Sequence, residues 1–255
     1  MPKIDAIPAG APCWVDLFTS DMDRARSFYE QVLGWTAEVN PPEYGGYVTF
    51  LSDGAGVAGA MTNDGSTGQP DGWNIYLAVD DAAATVDAAQ AAGGSVMVPT
   101  MDVMTLGRMA VVTDTGGAAI GIWQPGEHKG FGLLAEPGAA GWFELHTRAY
   151  DDSVGFYQKV FGWDTAVAGD EPGFRYTTLG EGEDGKAGIM DATAFLPDGV
   201  PAHWSVYFSV ADTDATVAKV QELGGALTQG PDDTPYGRLA SCTDPTGALF
   251  KLVAG

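Results

Sequence analysis

Trp142-Phe-Glu-Leu-His-Thr-Arg-Ala-Tyr-Asp-Asp-Ser-Val-Gly-Phe-Tyr-Gln-Lys-Val-Phe-Gly-Trp163 decides the fold. It reads as a short alternating strand, a polar break at Tyr150–Ser153, and an amphipathic helix ending at Gly162. The same pattern stands earlier as Trp14-Val-Asp-Leu-Phe-Thr-Ser-Asp-Met-Asp-Arg-Ala-Arg-Ser-Phe-Tyr-Glu-Gln-Val-Leu-Gly-Trp35, displaced by 142 − 14 = 128 residues. Strand, turn, helix and Gly-Trp written twice mark an internal duplication.

Working outward, Trp14–Phe18 alternates, with Val15 and Leu17 on one face and Trp14, Asp16 and Phe18 on the other. Asp21 or Ser20 is the expected N-cap of the helix that follows, and Gly34 its C-terminal stop. Turn signals at Pro41-Pro42, Gly45-Gly46 and Asp53-Gly54 divide Thr36–Met61 into a three-strand meander. A second strand–helix unit then begins at Trp73–Val79. Asp80 or Asp81 caps its alanine-rich helix, and strands follow near Val96, at Arg108–Thr113 and at Ala119–Trp123. Each half is therefore strand–helix–three strands, twice. Trp204–Val210 repeats Trp73–Val79 at 204 − 73 = 131, and Asp244-Pro-Thr-Gly247 repeats Asp114-Thr-Gly-Gly117 at 244 − 114 = 130. The expected division is an N-terminal arm over 1–13, a first domain over 14–124, a linker over 125–140 with its Phe131–Leu134 patch docked on a domain, and a second domain over 141–255.

Composition narrows the functions. The 12 Lys and Arg against 34 Asp and Glu give a net charge of −22, which repels phosphate backbones and anionic lipid. No nucleic-acid or membrane partner is expected. The two cysteines, Cys13 and Cys242, sit in no metal-type spacing, and no long apolar run occurs. A cytoplasmic protein with reduced thiols is the expectation.

Four such modules, a Phe-Tyr…Gly-Trp first helix and Asp-Pro-Thr-Gly before the last strand resemble the vicinal oxygen chelate superfamily, which includes glyoxalase I, extradiol dioxygenases and bleomycin-resistance proteins. The resemblance covers nearly the whole chain. It implies an α+β fold of four βαβββ modules, in two glyoxalase/bleomycin-resistance-like domains with open cup-shaped sheets. Metal-dependent members place His, Glu or Gln on the first, fourth, fifth and eighth strands of a module pair. The matching positions here are Trp14 and Trp142, Asn74 and Ser205, and Gly121 and Lys251, with Val57–Met61 and Ala187–Met190 in the fourth-strand region. These do not make the three or four anionic or imidazole ligands that a divalent ion needs. The resemblance is thus to the metal-free branch, and neither metal nor cofactor is expected.

Strand parity gives an independent list. The apolar sets face the helices, so the opposite faces line the cups: Trp14, Asp16, Phe18, Asn74, Tyr76, Gly121 and Trp123 in the first half, and Trp142, Glu144, His146, Ser205, Tyr207 and Lys251 in the second. Wide aromatic plates with a few polar groups make a small-molecule pocket suited to flat ligands. Packing of the same rings into a closed cup is the plainer reading, but Asp16, Glu144, His146 and Lys251 are costly in a dry core without partners. Phe28-Tyr29 and Phe156-Tyr157 sit at core spacing and read as packing. Glu144 and His146, two residues apart on one strand face, are about 7 Å apart and form a candidate acid–base pair.

Three functions follow in order. The first is a metal-free binding protein for an apolar or aromatic compound, such as a natural product or antibiotic. The second is a metal-independent tailoring enzyme, hydroxylase-like or acid–base, using Glu144 and His146. The third, a metal-dependent lyase or dioxygenase, lacks ligands. How modules pair stays open, because each half can build its own cup or exchange a module with the other. So does assembly as a monomer, an internal pseudo-dimer, or a homodimer.

Overall fold

The computed structural model describes residues 7–255, so the first six residues of the expected arm lie outside it. In the first half, β1 (Pro12–Thr19), α1 (Met22–Leu33), β2 (Thr36–Val39), β3 (Val48–Ser52) and β4 (Ala55–Thr62) form one module. A second follows as β5 (Gly72–Ala78), α2 (Ala82–Ala91), β6 (Ser95–Val103), β7 (Gly107–Thr113) and β8 (Ala119–Pro125). The second half repeats this with β9 (Ala140–Thr147), α3 (Tyr150–Phe161), β10 (Thr165–Glu171), β11 (Phe174–Leu179) and β12 (Ala187–Asp191). Its last module is β13 (His203–Ser209), α4 (Thr213–Glu222), β14 (Ala226–Thr234), β15 (Gly237–Thr243) and β16 (Leu249–Ala254).

Local chemistry sets the element ends. The Asp21 carboxylate caps α1 by accepting from the Arg24 amide, and Gly34 stops it at φ 72°. In the second half the helix begins at Tyr150, inside the stretch expected to be a polar break. The Thr147 hydroxyl accepts from the Ala149 amide there, so the turn closes before Tyr150 rather than after Ser153. The strand expected near Val96 runs nine residues, bulged where its register against β7 shifts.

Module pairing is settled by the sheets. Their orders are β2-β3-β4-β1-β5-β8-β7-β6 and β10-β11-β12-β9-β13-β16-β15-β14. Each half therefore builds its own open eight-stranded sheet, and no module is exchanged. Trp14 lies opposite Tyr76 and Tyr76 beside Gly121, while Glu144 lies opposite Ser205 and Tyr207 beside Lys251.

The apolar faces meet in one core spanning both halves, with Leu17, Ile75, Leu77, Leu145, Phe208 and Phe250 fully buried. The repeated helix motif fastens this interface. Tyr29 donates to Asp244 (3.2 Å) and receives the Trp73 indole N–H, whereas Tyr157 donates to Asp114 (3.4 Å) and receives that of Trp204. The motif tryptophans add Trp35 to the Gly138 carbonyl and Trp163 to the Gly10 carbonyl. Each half's helix thus reaches the Asp turn of the other half, a reciprocal arrangement of the isologous kind. With the helix faces turned inward, the two cup faces point away from each other.

Candidate functional site

Both cups begin from the same frame. In the first, the Trp14 indole N–H donates to Tyr47 Oη (2.8 Å) and Asp16 Oδ1 (3.0 Å), and Tyr47 donates to Asp16 Oδ1 (2.7 Å). In the second, Trp142 donates to Tyr176 Oη (2.8 Å), which donates to Glu144 Oε2 (2.8 Å). The two tyrosines correspond at 176 − 47 = 129, inside the drift of the repeat, and sequence reasoning passed over both. Paired glycines make room for them. A Cβ on Gly59 would run into the Tyr47 phenol, and one on Gly188 into that of Tyr176. They too are 188 − 59 = 129 residues apart.

The second cup adds three groups. Tyr207 donates to Glu144 Oε1 (2.6 Å), and His146 Nε2 lies 2.6 Å from the same oxygen. Lys251 Nζ stands 2.8 Å from Tyr207 Oη, 3.1 Å from His146 Nε2 and 3.4 Å from Glu144 Oε1, and 4.6 Å from the Tyr207 ring centroid. The backbone spacing expected for Glu144 and His146 is that of strand neighbours, but their side chains lean together into direct contact. Burial opposes ionisation of Glu144. The hydrogen bond to His146, the charge of Lys251 and the Tyr207 donor outweigh it and hold the carboxyl down at about 2. Burial pulls Lys251 down, with Glu144 pulling the other way. Its Nε2 holds one proton at most, so His146 either donates to Glu144 or accepts from Lys251. The cluster has two proton arrangements, and that is the chemistry it offers.

The first cup lacks all of this. Phe18 stands where His146 does, and Gly121 where Lys251 does. The Tyr76 ring lies over Gly121, where any Cβ would collide with it. Burial pushes the Asp16 carboxyl up, against the donors Tyr47, Tyr76 and Trp14. Asn74 sits opposite Asp16, and Phe18 beside the exposed Met61.

The connecting segment closes the first cup. His128 packs edge-on against Trp14 (4.4 Å between centroids) and Trp123 (5.5 Å), and Phe131 tilts on Trp14 at 5.5 Å. Backbone bonds from Phe131 to Cys13 and from Gly132 to Gly56 pin it, and the Trp123 indole donates to the His128 carbonyl. Burial lowers His128 to about 4. Trp14 and Trp123 are thus buried by the chain's own linker, against the expectation of open stacking plates. The hydrophobic Phe131–Leu134 patch signalled the docking, but its destination across the cup was not readable.

At the rim of the second cup two aromatics are exposed, whereas Tyr176 and Tyr207 are buried. Phe195, 52% exposed, meets the His146 ring edge-on, and Phe174 stacks on Tyr176. His203 lies 5.3 Å from His146, and burial lowers it. Trp142 is partly accessible. The Ser205 hydroxyl, in a residue 3% exposed, is buried without a hydrogen-bond partner. A groove of about 390 Å³ between α1, the linker and α4 lies away from both cups and brings no reactive cluster together. Arg108 pairs with Asp102, and Arg238 with Asp214 and Asp233, outside the cluster.

A divalent ion does not fit this donor set. Among the described residues, no three His, Cys, Asp or Glu side chains converge. Glu144 and His146 are two ligands, and an ammonium already stands between them and Tyr207.

The model of the Glyoxalase/Bleomycin resistance protein/Dioxygenase superfamily matches residues 13–122 and again 139–252. CFP32 of Mycobacterium tuberculosis, a glyoxylase by name, is 40% identical over 99% of this chain and 98% of its own. The anthracycline biosynthesis protein DnrV of Streptomyces peucetius is 38% identical over 96% of this chain and 93% of its own. In fold, the chain is similar to the Mn(II)-bound glyoxalase of Novosphingobium aromaticivorans, with TM-score 0.66 and 17% identity over 96% of this chain and 82% of that one.

Proposed function

The chain belongs to the Glyoxalase/Bleomycin resistance protein/Dioxygenase superfamily, and from that premise we propose that it binds a flat apolar or aromatic compound in its second cup without a metal ion. The observation that carries the reading is the polar cluster of Glu144, His146, Tyr207 and Lys251 on a sheet face rimmed by the open aromatics Phe174 and Phe195. Rings supply stacking area, and the cluster recognises a ligand oxygen. The likeness to an anthracycline biosynthesis protein supports a polycyclic aromatic natural product as the ligand class. Trp142 and Ser205 complete the second cup's lining. Trp14, Asp16, Phe18, Asn74, Tyr76 and Trp123 belong to the first, which the linker covers. The buried free thiols Cys13 and Cys242 support residence in a reducing cytoplasm, and the reciprocal interface between the halves supports a monomer acting as an internal pseudo-dimer.

A second reading is a metal-independent tailoring enzyme on the same class of compound. The contact of His146 with both Glu144 and Lys251 favours it, because a shared proton can be passed to or from a bound phenol or enone.

Titration with an anthracycline aglycone, followed by tryptophan quenching and native mass spectrometry, tests both. One equivalent should bind, and Lys251→Met should weaken binding by about tenfold through loss of a charge-assisted hydrogen bond. Absence of saturable binding, or binding indifferent to changes at Lys251 and Glu144, rejects the second cup as the site. A change in ligand mass that Glu144→Gln abolishes would replace the binding reading with the enzyme.

A further inference from the structure

One segment roofs the polar cluster of the second cup. His146 is 7% exposed, and two rings lie against it, Phe195 edge-on at 5.6 Å and His203 at 5.3 Å. Phe195 stands in the β12–β13 connection, residues 192–202. His203 follows it directly, with its ring bonded to the Pro201 carbonyl. Between its ends the connection folds on itself. The Phe195 and Leu196 amides donate to the Ala192 carbonyl, and the Val200 amide to that of Pro197. Among the described residues, one side chain ties the middle of this segment to the sheet by hydrogen bonds. Arg148, exposed just past β9, donates to the carbonyls of Leu196 (2.7 Å), Pro197 (2.8 Å) and Val200 (2.8 Å).

The first half has neither the roof nor this latch. The repeat offset grows from 188 − 59 = 129 before the connection to 204 − 73 = 131 after it, so the second half's segment is two residues longer. The first half's Asn63–Asp71 stretch contains no aromatic residue. It closes at its base, where Asp71 accepts from the amide and hydroxyl of Ser20, the residue at the position of Arg148. Phe18, which stands where His146 does, stays partly exposed.

We propose that residues 192–202 form a lid on the second cup, latched by Arg148, and that a compound reaching Glu144 and His146 enters by lifting it.

The latch has the chemistry of a reversible clasp. A guanidinium fork on carbonyl oxygens is charge-assisted and well oriented. It also lies in water, where solvent competes for each bond, so the segment can open locally while β9 and β13 stay paired. Phe195 is already 52% exposed and gives up little burial on leaving. When the lid is closed, its ring covers the outer side of His146. The lid deepens the reading of the second cup as the ligand site, but its test needs no ligand.

Diethyl pyrocarbonate acylates accessible imidazoles, and peptide mass spectrometry gives the rate at each histidine. In the wild type His146 should react slowly. Arg148→Ala should speed its labelling about tenfold, the scale of one net hydrogen bond, and Phe195→Ala by a similar factor. Arg148→Lys should fall between, because it keeps the charge and loses the fork. His128, under the linker in the other half, should keep its rate throughout. Arg238→Ala breaks surface ion pairs with Asp214 and Asp233 in the same half and should leave His146 unchanged. Labelling of His146 that ignores Arg148→Ala, or that rises equally in Arg238→Ala, overturns the lid. Should Arg148→Ala not fold, Phe195→Ala decides alone, faster labelling supporting the lid and an unchanged rate overturning it. Aglycone binding is read separately, so failure here leaves the ligand reading to its own test.

Discussion

In both cups a tryptophan and a tyrosine converge on a carboxylate, and in both a glycine gives the tyrosine room. What surrounds the carboxylates then diverges. Among the described residues Asp16 has no cation, and it takes a hydrogen bond from Tyr76 in a cup crossed by His128 and Phe131. Glu144 has Lys251 and His146 within reach, in a cup whose rim aromatics stay exposed. Two positions carry most of this difference. Gly121 lets a ring lie flat where Lys251 places a charge, and Phe18 offers a ring where His146 offers a proton site. A duplicated scaffold can keep one copy crossed by its own linker while the other keeps a buried polar cluster beneath an exposed aromatic rim.

The strongest way to break the comparison is to remove the charge that separates the halves. Lys251→Met leaves Glu144 buried without its cation and should cost about 3 kcal/mol, the usual scale for breaking a buried pair. Urea unfolding measures it. The double change Glu144→Gln with Lys251→Met should recover most of that loss, and a double variant as unstable as the single would place the damage elsewhere.

Acid separates the two carboxylates by sign. Glu144 is held below its unfolded value of 4.5, at about 2, so its contribution is present above 4.5 and fades as pH falls toward 2. That window is worth about 3 kcal/mol. Asp16 is shifted upward, so its contribution is present below the ordinary value of 3.8 and is lost as pH rises through its folded value. Glu144→Gln should therefore flatten the acid limb of a stability–pH curve, whereas Asp16→Asn should raise stability at neutral pH. Parallel curves for the two variants would erase the distinction.

Room at the corresponding strand positions gives a smaller effect. Gly121→Ala forces the Tyr76 ring away and should cost about 1–3 kcal/mol by overpacking, with Asp16 losing one of the donors that oppose its upward shift. A thermal shift of less than a degree would mean that Tyr76 moves freely.

Where the halves do not differ, neither should the outcome. Tyr29→Phe and Tyr157→Phe each remove one hydroxyl that bridges an indole N–H to the other half's Asp turn, for about 1 kcal/mol apiece. Equal losses sharpen the reciprocal interface, and a twofold inequality would break it. The smallest effect belongs to His128→Ala, which removes edge-on ring contacts with Trp14 and Trp123 and should cost no more than about 1 kcal/mol. Its readout is acrylamide quenching of the newly uncovered Trp14 and Trp123. An unchanged quenching curve would show that His128 does not shield them.

The repeat, the module order and the split between core face and cup face were all legible in the sequence. Period-two alternation at Val15 and Leu17, helical spacing at Phe28 and Tyr29, and Asp21 and Gly34 at the helix ends are local properties, written where they act. Only the tertiary structure decided that each half closes its own sheet, because strand order depends on contacts between modules that no local pattern encodes. Nor could spacing place Tyr47 and Tyr176 on the carboxylates, bring Lys251 across two strands to Glu144, or lay the linker over Trp14. Those contacts join residues tens to more than a hundred positions apart. Side-chain reach across a folded sheet selects them, and the chain acquires that reach only once its core has formed.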